Sequence, residues 1–109
     1  EAAVLLGVPV VELHTGKYCD AVGAEQDYEL GRIIVAAELV TESGLECHAG
    51  HGLNYDSVAA IASLPMIEEL NIGHFLVGEA IYSGLDSAIK RMRAIMDTAR
   101  ADADGERSA

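Results

Sequence analysis

The residues best suited to proton chemistry near neutral pH in this chain are its 4 histidines, His14, His48, His51 and His74. They are not scattered. Each falls in one of three short stretches where polar residues meet glycine: Glu12-Leu13-His14-Thr15-Gly16, His48-Ala49-Gly50-His51-Gly52 and Asn71-Ile72-Gly73-His74. Glycines on both sides of His51 let backbone amides approach an anion closely. Gly73-His74 stands directly before an apolar helical stretch, Phe75 to Tyr82, whose leading N–H groups and dipole would seat an anion. Glu12 is a carboxylate within an apolar run. Burying it is costly unless it is hydrogen-bonded or steadies a developing positive charge. The plainer alternatives are a structural carboxylate at Glu12 and a helix-capping or water-binding histidine at position 51. The set His48-x-x-His51 with His14 and His74 has the donor types for zinc or iron. His48 and His51 straddle a strand end and a glycine turn, however, and few carboxylates flank them, so no metal is expected.

These stretches recur where strands should end. Val8 to Thr15 is β-branched and apolar, as in a buried parallel strand. Alternation places Val8, Val10, Glu12 and His14 on one face, with Val11 and Leu13 on the other. Gly16 to Gly23 reads as a loop. Ala24 to Ser43 carries Leu30, Ile33, Ile34, Ala37 and Val40 at helical spacing, and Gly44 suits the helix C-cap. A strand at Leu45 to Ala49 follows, then a helix with Asn54 as N-cap, a Leu53/Val58 staple, and an end at Pro65. The third strand spans Ile67 to Ile72. After the short helix Phe75 to Tyr82, Ser83 and Asp86 resemble a capping box for a last helix with Leu85, Ala88, Ile89, Met92, Ile95, Met96 and Ala99 on one stripe. The four tyrosines show no stacking pattern.

Strand-helix alternation of this kind implies an α/β fold with a parallel sheet. Three strands make a small open sheet, or the last three β/α units of an eight-stranded TIM-type barrel, which needs about 250 residues. The barrel is favoured by the extra short helix after the last strand, and by Ala2 to Gly7, which read as the end of a helix begun earlier. Residues 1–100 are then the C-terminal part of a single barrel domain, and Ala101 to Ala109 a disordered polar tail. In either architecture the chemistry sits at the carboxyl ends of the strands, where the histidines cluster.

Composition narrows the function classes. A net charge of −11 argues against non-specific nucleic-acid binding. No apolar run approaches the ~20 residues that span a bilayer. No secretory signal is visible. Cys19 and Cys47 lack C-x-x-C spacing and read as inert thiols in a cytoplasmic protein. Lys17 and Arg32 are the nearest cations, with Arg32 on a solvated helix face. Cys47 points opposite His48 and packs as a small hydrophobe.

The segments VELHTGKY, HAGHGLNYDSVAAIASLP and IEELNIGHFLVGEAIYSGL, at their separations here, closely resemble the C-terminal portion of the pyridoxine 5′-phosphate synthase family, from about Val4 to Arg100. The resemblance implies a (β/α) barrel assembled as a homo-oligomer, an octamer, with no cofactor or metal. It implies condensation of 1-deoxy-D-xylulose 5-phosphate with 3-amino-2-oxopropyl phosphate to pyridoxine 5′-phosphate, phosphate and water. Carried over by motif, His51 is the proton donor and Glu12 the transition-state stabiliser, while Gly52, Gly73 and His74 bind substrate. His48 departs from the family, which often has asparagine there. The family's first strands, with further catalytic residues, would precede Glu1, so these residues alone are expected to be inactive and poorly folded. Two rival functions are an aldolase or isomerase of the same barrel type and a non-catalytic barrel remnant. The first would want a Schiff-base lysine or a metal at a strand end, and no strand here carries a lysine.

Overall fold

The structure, a computed structural model, describes residues 9–108; the helix end read at Ala2 to Gly7 lies outside them. It is an α/β arrangement of three parallel strands: β1 (Val10–His14), β2 (Glu46–Gly50) and β3 (Ile67–Asn71), in the order β1-β2-β3. The helices are α1 (Gly16–Asp20), α2 (Gly23–Glu42), α3 (Val58–Ala62), α4 (His74–Ser83) and α5 (Leu85–Ser108).

Alternation gives the sheet two unlike faces. Cys47, Ala49 and Ile67 point toward the helices and bury themselves against Ile33 and Ala37 of α2, Tyr18 of α1, Leu53 and Ile61. Burying each larger aliphatic side chain contributes about 1.5–3 kcal/mol. The α2 stripe behaves as its spacing dictates, with Ile33 and Ala37 buried and Leu30 and Val40 packed against them. Its end is a Schellman turn at Gly44, φ 80°, where Gly44 N–H donates to the Thr41 carbonyl and Leu45 N–H to that of Val40.

The other face holds Val10, Glu12 and His14 of β1, level with Glu46, His48 and Gly50 of β2. Between β2 and β3 the register slips by one residue: Cys47 pairs with Ile67, but His48 with Glu69. Such a bulge re-aims the residues beyond it, and it brings Asn71 level with Gly50. Glu12, His14, Glu46, Glu69 and Asn71 are all exposed; among the described residues nothing covers this polar face.

Four local readings differ in the structure. Gly16 to Asp20 is a helical turn rather than loop, because Tyr18 turns inward and its hydroxyl donates to the Ser57 carbonyl at 3.1 Å. Burial and the neighbouring Cys19 and Asp27 push that phenol above its ordinary pKa. Ser83 does not cap the last helix. It closes α4, its hydroxyl donating to the Glu79 carbonyl, and Gly84 at φ 83° makes the break. Tyr55 does stack: it meets Phe75 edge-on at 4.7 Å, and Arg91 lies 4.1 Å from its ring centre on the cation–π side. The α5 helix continues through Ala101 to Ser108, a stretch whose composition reads as a polar tail.

Arg100 joins α5 to the base of the sheet. Its guanidinium donates to the carbonyls of Ala62 at 2.9 Å, Leu64 at 3.2 Å and Ile67 at 2.7 Å. A cation at the end of α3 satisfies carbonyls that the helix leaves open. Arg100→Ala, measured by urea unfolding of the assembled protein, is expected to cost about 2 kcal/mol, the scale of charge-assisted hydrogen bonds; a loss below about 0.5 kcal/mol would mean that water replaces the guanidinium freely.

Candidate active site

At the carboxyl ends of the strands the sheet opens into a groove of about 590 Å³, lined by Glu12, His14, Gly50, His51, Gly52, Leu53, Asn71, Ile72, Gly73, His74 and Phe75. All five residues singled out by motif, Glu12, His51, Gly52, Gly73 and His74, therefore meet on one concavity. His14 joins them. His48 does not: its Nε2 lies 2.6 Å from the Glu46 carboxylate, two residues back along β2. The four histidines thus do not converge, and among the described residues no group of three or more His, Cys, Asp or Glu could hold a metal. Lys17 and Arg32 border a separate hollow beside α1 and α2, and among the described residues no lysine or arginine lines the groove.

The backbone under His51 is unusual and well tied. His51 has φ 90°, a conformation that a β-carbon disfavours, and Gly52 follows at φ 81°. Thr15, which is fully buried, holds this turn from below: its hydroxyl lies 3.0 Å from the Gly50 carbonyl and 2.6 Å from that of His51, while its N–H donates to Gly50 at 2.9 Å. The Cys19 thiol also faces the His51 carbonyl, at 3.7 Å. A side chain at Gly52 would press on Cys19, with its β-carbon 3.2 Å from that of the cysteine. Both cysteines are free thiols; Cys47 is buried, which raises its pKa and keeps it protonated.

Asn54 secures the far end of the loop. Its Oδ1 accepts from the N–H groups of Asp56 and Ser57, both at 2.9 Å, so the predicted cap acts one turn before α3 begins. Tyr55 then leans on Phe75, the residue after His74, which links the His51 loop to the start of α4.

Glu12 reaches across β2 because Gly50 leaves room. A β-carbon at Gly50 would sit 2.6 Å from Glu12 Oε1 and 2.9 Å from the Asn71 carbonyl oxygen. The carboxylate could move away; the strand backbone could not. Gly50→Ala is expected to lower stability by about 2 kcal/mol through this overpacking, read as a fall in the thermal midpoint; an unchanged midpoint would show that β2 and β3 can separate at no cost. Sequence reasoning gave no role to Thr15, and weighed His14 only as one of the clustered histidines and a candidate metal donor, not as a partner of His51. The signal for both is faint, since each sits more than thirty residues from the loop it touches.

A parallel α/β sheet with its polar and glycine residues gathered at the strands' carboxyl ends has the layout of an α/β enzyme. Comparison with known proteins makes this specific. Residues 1–98 match the family described as "Pyridoxal phosphate biosynthesis protein PdxJ", and the chain belongs to that family. The pyridoxine 5′-phosphate synthase of Jannaschia sp. (strain CCS1) is 61% identical over 104 residues, covering 92% of this chain and 42% of the relative. That of Rhodospirillum rubrum is 61% identical over 100 residues, with 91% and 40% covered; that of Zymomonas mobilis subsp. mobilis is 56% identical over 101 residues, with 93% and 40% covered. The chain spans about two-fifths of the length of these relatives and corresponds to their C-terminal portion. No helix among the described residues is long and apolar enough to cross a membrane.

Proposed function

We propose that these residues form the last three β/α units of the (β/α) barrel of a pyridoxine 5′-phosphate synthase, residues 1–100 belonging to that single domain. The assembled enzyme condenses 1-deoxy-D-xylulose 5-phosphate with 3-amino-2-oxopropyl phosphate, releasing phosphate and water. The observation that carries this is the meeting of Glu12, His51, Gly52, Gly73 and His74 on one groove at the strands' carboxyl ends, in a chain 61% identical to a protein of that name.

In this reading His51 donates a proton to a leaving oxygen during ring closure. Glu12, on the face that becomes the barrel interior, stabilises the positive charge that develops in the ring-forming intermediates; enclosure by the remaining strands strengthens that effect. The glycine turn at Gly52 and the start of α4 at Gly73 and His74 bind the phosphate of 3-amino-2-oxopropyl phosphate through backbone N–H groups that lack intrahelical partners. With no lysine or arginine on this part of the groove, amides and histidines carry the recognition here. No lysine stands ready for a Schiff base, which weighs against an aldolase. The enzyme is a cytoplasmic homo-oligomer, an octamer by its resemblance to the family.

The test is turnover. The chain is joined to the upstream portion of the Jannaschia synthase and supplied with both substrates. Formation of pyridoxine 5′-phosphate with equimolar phosphate is the expected result, and the 109-residue chain alone is expected to give none. A folded chimera that yields no product would sink the reading.

A further inference from the structure

His51 does not stand alone at the groove. His14, at the end of β1, stacks on it with ring centres 4.1 Å apart and planes 28° from parallel. The Gly16 N–H donates to His14 Nδ1 at 3.3 Å. That bond and the ring stack together hold the His14 imidazole between Gly16 and His51. The arrangement also needs Gly16 to lack a side chain, since a β-carbon there would lie 2.6 Å from His14 Cε1 and 3.1 Å from His51 Cδ2.

The ring of His51 depends on this neighbour. Its backbone carbonyl is held by Thr15 and Cys19, but among the described residues no hydrogen bond reaches its imidazole. The backbone is pinned while the side chain is oriented by one stacked face.

We infer that His14 is a positioning residue: it holds the His51 imidazole in one orientation toward the groove. This rests on the proposed role of His51 as proton donor. Glu12 and His74 share the groove with the pair, but neither is bonded to either ring.

The experiment compares His14→Ala and His14→Phe in the assembled enzyme. The alanine variant is expected to lose about 30-fold in kcat with KM within about threefold, the signature of a misaimed group rather than a lost binding contact. Phenylalanine restores the stacked face without the acceptor nitrogen and is expected to recover most of that loss. An alanine variant within about threefold of the parent kcat, or a phenylalanine variant as slow as alanine at equal thermal midpoint, overturns the inference. NMR of histidine-labelled protein supplies an arm independent of turnover. The expected signals are a Gly16 N–H hydrogen-bonded to the His14 ring in the parent, and His51 ring contacts to Gly16 that persist in His14→Phe and average out in His14→Ala. A Gly16 N–H not bonded to His14, or a His51 ring indifferent to the loss of His14, overturns it whether or not the enzyme turns over. The expected NMR pattern without any synthase activity would instead discard the proposed reaction and leave the positioning of His51 by His14 standing.

Discussion

His51→Asn is expected to lower kcat of the assembled enzyme by about 10³-fold, within the range that a positioned general acid contributes. Asparagine is the informative replacement because His51 sits at φ 90°. Asparagine tolerates positive φ better than other non-glycine residues, so the turn held by Thr15 should survive and the thermal midpoint should change little. It can still hydrogen-bond to a leaving oxygen but cannot transfer a proton to it. KM is expected to stay within about threefold, since phosphate binding is assigned to the backbone at Gly52, Gly73 and His74. Steady-state kinetics with calorimetry on the same preparation checks both halves. A kcat reduced less than about tenfold would remove His51 from proton transfer, and the stacked pair with His14 would then be only a packing feature.

The second large effect concerns charge rather than protons. Glu12→Gln keeps shape and hydrogen-bonding reach and removes only the negative charge. A loss of about 10²–10³-fold in kcat is expected, as when a preorganised electrostatic stabiliser is neutralised. Stability should hold, because Glu12 lies on an uncovered face of the sheet, makes no ion pair among the described residues, and projects over Gly50, where the amide fits the same space. Pre-steady-state measurement would separate this from His51→Asn: removing charge slows formation of the cationic intermediates, whereas removing the proton donor lets an earlier species accumulate. If Glu12→Gln turned over normally while Glu12→Ala unfolded the protein, the carboxylate would be structural.

Much of this site was legible in the chain because it depends on short-range rules. The period-two alternation of β1 assigned Glu12 and His14 to one face and Val11 and Leu13 to the other, and the exposures follow that assignment. The α2 stripe and the Gly44 terminator are likewise local. Where local rules failed, a contact distant in sequence had taken over. The turn at Gly16 to Asp20 is too short to show a helical period, and it forms because Tyr18 buries its ring and reaches Ser57. Ser83 has the residue pattern of a cap, yet it lies within the last turn of α4 and spends its hydroxyl on Glu79. His48 reads as one more member of a histidine cluster until its imidazole is seen beside Glu46.

The residue order by itself determined the strand-helix alternation, the placing of polar and glycine residues at strand ends, and the segments that mark the family, because each is a matter of spacing along the backbone. Only the tertiary structure decided which of those residues share a groove, that His14 stacks on His51, that Thr15 holds the turn beneath them, and that Gly50 must be bare to admit Glu12. Those relations arise where parallel strands are set side by side. Hydrogen-bond register and one bulge between β2 and β3 fix which side chains stand level, and no count along the chain contains that register.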